Sequence, residues 1–298
     1  MRLTTNDSRI LLNALNAADR AQQNALLQMT TGKRVNVASD DPAAAALQAQ
    51  ISNQAVACDQ FQRSISSVRC ELQTADSALS SCVSALQRSI NLGVEGANGT
   101  LSQQDRDAIA SEVQGISTQV LGIANLDYNG HFLFAGTADS QAPYVLDPNS
   151  PGGVKYQGND LTNQIEVESG CTVTMNQPGS QLFSAPGANV FVALSDLATA
   201  LQNGTGIDTA TESIRTAFDQ LTTSRVFYGS TVDQLLSDTN FLQNENVQLA
   251  QSTNDNVGVD MNVAATNLAN AQTARAAALA AAAQASGLSL LDYLGKTS

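Results

Sequence analysis

The sequence predicts a mainly α protein built from long heptad-patterned helices, with paired N- and C-terminal helices and a small inserted β-rich domain. Three observations predict it. Apolar residues recur at alternating spacings of four and three in four separate runs, the pattern of helices packed side by side. Both ends of the chain carry such runs, while the middle is broken by Pro, Gly and short apolar-polar alternations. Charged residues make up only 14% and aromatics 4% of the 298 residues, a composition that suits long, repeatedly packed helices and an assembly component better than an enzyme.

The first run is Leu11, Leu15, Ala18, Gln22, Ala25 and Met29, with Gln22 its only polar member. Gly32 suits the left-handed position that closes this helix, and Ser39-Asp40-Asp41-Pro42 opens the next, with Asp41 as N-cap and Pro42 in the first helical position. The second run is Leu47, Ile51, Gln54, Cys58, Phe61, Ile65, Val68, Leu72, Ala75, Leu79, Cys82 and Leu86. At 1.5 Å per residue it makes a rod of about 60 Å, too long for a helix inside a compact globule of this size. Ile109, Val113, Ile116, Val120 and Ile123 form a third run. The turn dipeptide Asn129-Gly130 then leads through Phe132-Leu133-Phe134 and a Pro/Gly-rich stretch to three short strands, at 154–157, 164–168 and 172–175. Ile165 and Val167 alternate with Gln164, Glu166 and Glu168, so one face is buried and the other wet. Pro178, Pro186 and Gly187 close this insert before a helix over about 190–201. The fourth run is Phe218, Leu221, Arg225, Tyr228, Val232, Leu235, Thr239 and Leu242; after a phase slip near Ala250 it resumes as Val257, Met261, Ala264, Leu268, Ala271, Arg275, Ala278 and Ala282.

A net charge of −13 disfavours nucleic acid and anionic membrane surfaces as partners. The charge is uneven. Residues 1–60 hold five bases and five acids, residues 61–225 seven bases and sixteen acids, and residues 226–298 two bases and six acids, so the acidity belongs mostly to the middle. A neutral start is what packing against other copies requires, and an acidic middle suits a surface that faces water. The opening Met1-Arg2-Leu3-Thr4-Thr5-Asn6-Asp7 lacks the apolar core of a secretory signal peptide, Asn13 and Asn16 interrupt the next apolar stretch, and the Ala-rich run 276–283 is too short to span a bilayer. No membrane insertion and no cleaved signal are expected.

Chemistry-bearing residues are sparse. No metal site, cofactor site or catalytic residue is expected. Cys58, Cys70 and Cys82 are spaced by twelve, which along one helix separates them by about 18 Å, far beyond the reach of a zinc–sulfur bond. Cys58 and Cys82 fall on the seam as small buried hydrophobes, Cys70 on the outer face, and Cys171 in the insert. His131, the single His, reads as an exposed strand residue. Asp40 and Asp41 read as capping residues. Thr31-Gly32-Lys33-Arg34 lacks the upstream glycine of a phosphate loop and has Arg34 where Ser or Thr is required. Arg225 and Arg275, at seam positions, must reach the rim or pair across an interface.

Three stretches carry a resemblance. Thr31-Gly32-Lys33-Arg34-Val35-Asn36 followed by Ser39-Asp40-Asp41-Pro42-Ala43-Ala44 resembles the N-terminal signature of the bacterial flagellin family, in the version carried by hook-filament junction proteins. Val259-Asp260-Met261, Leu268, Ala271-Gln272-Thr273-Ala274, Ala277-Ala278 and 288–294 are similar to that family's C-terminal helix. Gly130-His131-Phe132-Leu133-Phe134-Ala135-Gly136-Thr137, with Pro143-Tyr144 and Tyr156-Gln157-Gly158, resembles the start of the junction proteins' β domain more than filament flagellin. The four cysteines depart from the habit of exported flagellar subunits.

The resemblance implies three layers: residues 1–40 and 257–298 as a terminal helical inner layer, 41–128 and 189–256 as a helical rod layer, and 129–188 as a β-rich outer insert. It implies a structural subunit of the extracellular flagellum, exported without a cleaved signal, whose partners are other copies of itself, a neighbouring hook-associated protein, filament flagellin and an export chaperone. The terminal helices lack full partners within their own hairpins, so each gains stability by packing against the other and against neighbouring subunits. The residues expected at the subunit interface are Leu11, Leu15, Met29, Val257, Met261, Leu268, Leu290, Leu291 and Leu294, with small Ala271, Ala278 and Ala282 allowing close helix approach. A filament flagellin with a reduced outer domain is the alternative. An enzyme in the insert is the remote one, since 129–188 has no HExxH, no nucleophile context and no acidic cluster beyond Glu166 and Glu168.

Overall fold

The computed structural model describes residues 5–294, with side chains for 9, 10 and 12–283. It is mainly helical with small antiparallel strand pairs between the helices, the fold class the heptad runs predict. In chain order come α1 (Thr5–Thr31), α2 (Pro42–Gly96) and α3 (Gln103–Ala124). Then follow β1 (Asp127–Tyr128), β2 (His131–Phe132), β3 (Tyr144–Leu146), β4 (Val154–Tyr156), β5 (Gln164–Glu168) and β6 (Cys171–Thr174). The short α4 (Gly179–Leu182), β7 (Ser184–Ala185) and β8 (Ala188–Asn189) lead to α5 (Val190–Asn203), α6 (Ile207–Val257) and α7 (Met261–Leu294). The chain divides into two compact units, Met1–Ala57 with Asn244–Ser298, and Cys58–Gln243; the division falls within α2 and α6.

In the Cys58–Gln243 unit the seam of α2 is the core: Ile65, Leu72, Leu79, Cys82 and Leu86 are almost fully buried, as are Val113 and Val120 of α3, Leu197 and Leu201 of α5, and Ile214, Leu221 and Leu235 of α6. Burial of this kind contributes roughly 1.5–3 kcal/mol per large aliphatic side chain, which is what orders such long helices. Local chemistry sets the ends. Ser102 and Asp105 form a reciprocal capping box at the start of α3. The Asn189 side chain accepts from the amides of Phe191 and Val192 to start α5, and Gly204, at φ 69°, closes it. Cys82 is buried, and burial pushes its thiol up to about 12, whereas Cys70 and Cys171 are exposed.

The strands pair only with sequence neighbours. β1 and β2 form a hairpin whose two turn residues, Asn129 at φ 54° and Gly130 at φ 87°, both sit in the left-handed region that this two-residue turn requires. β3 pairs with β4, β5 with β6 across a register shift at Glu166–Glu168, and β7 with β8. An aromatic cluster joins them to α5: Tyr144 meets Phe183 edge-on, with ring centroids 5.9 Å apart, and lies 5.1 Å from Phe191. Gly179 packs against the Phe134 carbonyl and the Tyr144 ring, where a Cβ would collide.

Two features differ from the sequence reading. The α2 seam is not evenly buried, because Leu47 and Gln54 are exposed while Ala44, Ile51 and Cys58 are buried. A heptad marks apolar spacing, and burial also needs a facing partner at each level. The last run does not pass continuously from Val257 into Met261. The helix breaks at 258–260, and the Asp260 side chain accepts from the Asn262 amide at 2.8 Å to start α7. Past the break the seam positions Ala264, Leu268 and Ala271 are buried or half-buried, while Met261 beside the break is exposed.

Candidate functional site: the paired terminal helices

Helices α1 and α7 pack together, and the residues most buried in the pair are seam positions of the two runs. Ala25 of α1 and Ala264 and Ala271 of α7 are buried, while Leu15, Ala18, Gln22 and Met29 are half-buried, as are Leu268, Ala278 and Ala282. Alanine occupies half of the described seam positions, so many layers bury little apolar area. Arg275 leaves the seam for the rim and pairs with Asp19 of α1, Nε to Oδ1 at 2.5 Å.

The pair is tied at one end by the segment between α1 and α2. Gly32, at φ 67°, closes α1, and the chain then runs antiparallel to the break between α6 and α7, with Lys33 bridging Gly258. The Arg34 amide donates to the Val257 carbonyl at 2.6 Å, and the Val259 amide donates to the Gly32 carbonyl at 3.1 Å. The Arg34 guanidinium donates to Asp41 Oδ2 from both terminal nitrogens, at 3.2 and 3.1 Å, and to the Asn256 carbonyl at 3.1 Å. Asp41 also caps α2 by accepting from the Ala44 amide at 3.1 Å; that bond, and the guanidinium beside it, hold its carboxyl below the usual carboxylate range. Asp40 accepts from the amides of Asn36 and Val37. Beneath these bonds Val35, Ala44 and Val257 form a small apolar cluster.

The residues expected at a subunit interface are distributed unevenly. Val257 is 2% exposed and held in the cluster just described; Leu15, Met29 and Leu268 are half-buried between the two helices; Met261 is 49% exposed. The side chains of Leu11, Leu290, Leu291 and Leu294 lie outside the described residues. The sequence reading missed a second group, the apolar side chains that point away from the seam. Ile10, Leu12, Leu26 and Leu27 of α1 and Val263 and Leu279 of α7 are all exposed. Heptad counting passes over them because they fall between seam positions, at several angles around each helix.

Other residues singled out by type occupy plain positions. His131 lies exposed on β2, its Nδ1 3.0 Å from Asp139 Oδ2. Glu166 accepts from the Gly170 amide in its own hairpin. Arg225 pairs with Asp76 across to α2. Among the described residues no group of three or more His, Cys, Asp or Glu side chains is placed to hold a metal ion, and no helix is long and apolar enough to cross a membrane.

Comparisons with known proteins match both ends. The model of the bacterial flagellin N-terminal helical region matches residues 3–139, and that of the C-terminal helical region residues 205–294. Flagellar hook-associated protein 3 of Escherichia coli K12 is 27% identical over 291 residues, covering 89% of this chain and 90% of that protein. A Listeria monocytogenes flagellin is 27% identical and covers 78% of this chain and 77% of its own. Among solved structures, flagellar hook-associated protein 3 from Legionella pneumophila superposes with a TM-score of 0.64 at 14% identity, over 69% of this chain and 98% of that one. Bacillus cereus FlgL gives 0.60 at 23% identity, over 69% and 99%. At these identities the two structures speak for the fold.

Proposed function

The chain belongs to the bacterial flagellin family, and on that premise we propose that it is a structural subunit of the flagellum, forming the junction between hook and filament by packing of terminal helices between subunits. The observation that carries this reading is the terminal pair itself. Its seam joins α1 to α7, yet both helices keep exposed apolar side chains off the seam, Ile10, Leu12, Leu26 and Leu27 on one and Val263 and Leu279 on the other. Scattered exposed apolar residues are ordinary, but seven of the seventeen large exposed ones among the described residues, Met261 included, fall on these two helices, a density that marks a surface for a partner. Covering a half-exposed Leu contributes about 1 kcal/mol, so six such residues outweigh a surface ion pair several-fold.

The partners proposed are other copies of this chain, a neighbouring hook-associated protein and filament flagellin, with an export chaperone acting before assembly. The subunit is placed in the extracellular flagellum, exported without a cleaved signal, and its role is structural rather than catalytic. The layers follow the sequence reading: 1–40 with 257–298 innermost, 41–128 with 189–256 as the rod, and 129–188 outermost. Leu11, Leu15, Met29, Met261, Leu268, Leu290, Leu291 and Leu294 are proposed to pack between subunits together with the exposed apolar side chains, while Val257 supports them from beneath. Similarity to a junction protein over nine-tenths of both chains favours the junction over the filament.

Deletion of the gene tests the proposal. Hooks without filaments, with flagellin released into the medium, are expected; normal filaments would refute it. Growth of the purified protein into long filaments, instead of arrest at a short ring, would favour the filament alternative.

A further inference from the structure

We infer that the register of α1 against α7 is set by two polar pins at its edge and not by the apolar seam between the helices. The seam is poor in shape information. Four of the α7 seam positions are Ala264, Ala271, Ala278 and Ala282, and the α1 run includes Ala18 and Ala25. Small side chains make shallow knobs, and a shift of seven residues replaces Ala264 by Ala271 and Ala271 by Ala278 with nothing lost at those layers. The seam is also incompletely filled. A groove of about 430 Å³ opens along it, bordered by the amide side chains of Asn24, Gln28, Asn267 and Asn270 and by alanines of both helices.

The pins are specific where the seam is not. Arg275 reaches Asp19 at 2.5 Å; a heptad shift would set Leu268 or Ala282 beside that carboxylate. At the end of the pair, Lys33 bridges Gly258, and Arg34 holds Asp41 and the Asn256 carbonyl with one guanidinium, so the two chain breaks are fixed level with each other. Asp19 and Lys33 are fourteen residues apart, about 21 Å along a helix, which makes the two constraints independent. Arg34 and Arg275 are thus positioning residues: they decide which exposed apolar side chains of the two helices lie level. This holds whether or not the junction reading is right, because register is a property of the single chain.

Cysteine cross-linking of the full chain tests it, in a background with Cys70 and Cys171 replaced by Ser. The pair Gln22→Cys with Ala271→Cys, level in the antiparallel pair, reports the observed register; Gln22→Cys with Ala264→Cys or with Ala278→Cys reports a heptad slip in either direction. With both pins intact only the first pair is expected to cross-link. With Asp19→Asn and Arg34→Met together, one of the slipped pairs should rise at least tenfold, and Arg275→Gln alone should produce a smaller rise of the same kind. An unchanged pattern in the doubly altered protein would overturn the inference. So would loss of cross-linking in all three pairs, since the pins would then hold the helices together without selecting their register.

Discussion

Arg225 lays its guanidinium along Asp76, with Nε 2.9 Å from Oδ1 and a terminal nitrogen 3.1 Å from Oδ2, so that a charge placed on the seam of α6 is met in fork geometry by an acid on α2. The two side chains are 31% and 37% exposed, which keeps the desolvation cost low and moderates the attraction. Arg225→Met and Asp76→Asn are each expected to destabilise the chain by about 1 kcal/mol, and the double variant by little more than either. Urea unfolding followed by circular dichroism provides the cycle; additive losses would mean that the fork contributes nothing of its own.

Gly93 of α2 faces Thr211 of α6 so closely that a Cβ at residue 93 would collide with the Thr211 hydroxyl. Thr211 is buried and its hydroxyl already donates to the Ile207 carbonyl at 2.8 Å, so it has little room to turn away. Gly93→Ala should therefore destabilise by about 2 kcal/mol, despite the better helix propensity of Ala. Adding Thr211→Ala should recover most of the loss. Thermal unfolding of the three variants decides it, and a Gly93→Ala protein as stable as the parent would show that the helices shift apart freely.

The helices were legible in the sequence because their signal is periodic: Ile65, Leu72, Leu79 and Leu86 repeat at seven and are all buried. So were Asp41 with Pro42 and Asn129 with Gly130, since a cap and a two-residue turn depend on neighbours only. What resisted is what depends on distant chain. Gly258 and Asp260 carry the chemistry of a helix stop and start, but the heptad count ran straight over them. Arg34 gave no sign that its partners would be an acid seven residues away and a carbonyl at Asn256. The fork of Arg225 onto Asp76 was open in sequence between a rim position and a pair, because pairing needs the register of α2 against α6, which periodicity leaves undetermined.

Two carboxylates should respond to pH in opposite senses. The Ala44 amide and Arg34 hold Asp41 below the usual carboxylate range. Its folded value lies below its unfolded one, so the stability it adds is complete above the unfolded value and lost as pH falls through the folded value. Burial raises Glu71, an effect opposed by His131 and reinforced by Asp139. Its folded form holds a proton more tightly than the unfolded chain does, so it opposes folding at neutral pH and the opposition fades as pH falls through the raised value. Carboxyl titration by NMR should find Asp41 low and moving upward in Arg34→Met, and Glu71→Gln should stabilise at neutral pH with the gain vanishing on acidification. A gain from Glu71→Gln that persists at low pH would show that burial of its charge is not the cause.

Val257 and Met261 are four residues apart in one seam and should nevertheless fail in different ways. Val257 is buried against Val35 and Ala44 at the tie between the terminal pair and the start of α2. Truncation to Ala removes two methyl groups from a cluster of only three residues, a loss of about 2 kcal/mol that should also speed amide exchange in the first turns of α7. Met261 is half exposed, beside the exposed Val263, so Met261→Gln should leave the monomer within about 0.5 kcal/mol of the parent. If the exposed first turn of α7 meets another subunit, that same change should weaken co-assembly at least tenfold, measured by sedimentation of assembled against free protein. Monomer stability and assembly should thus separate: Val257→Ala lowers both, because an unpinned pair presents no fixed surface, while Met261→Gln lowers assembly alone. A Met261→Gln protein that assembles normally would remove α7's first turn from the contact and confine the proposed interface to Leu12, Leu26 and Leu27 of α1 and the later turns of α7.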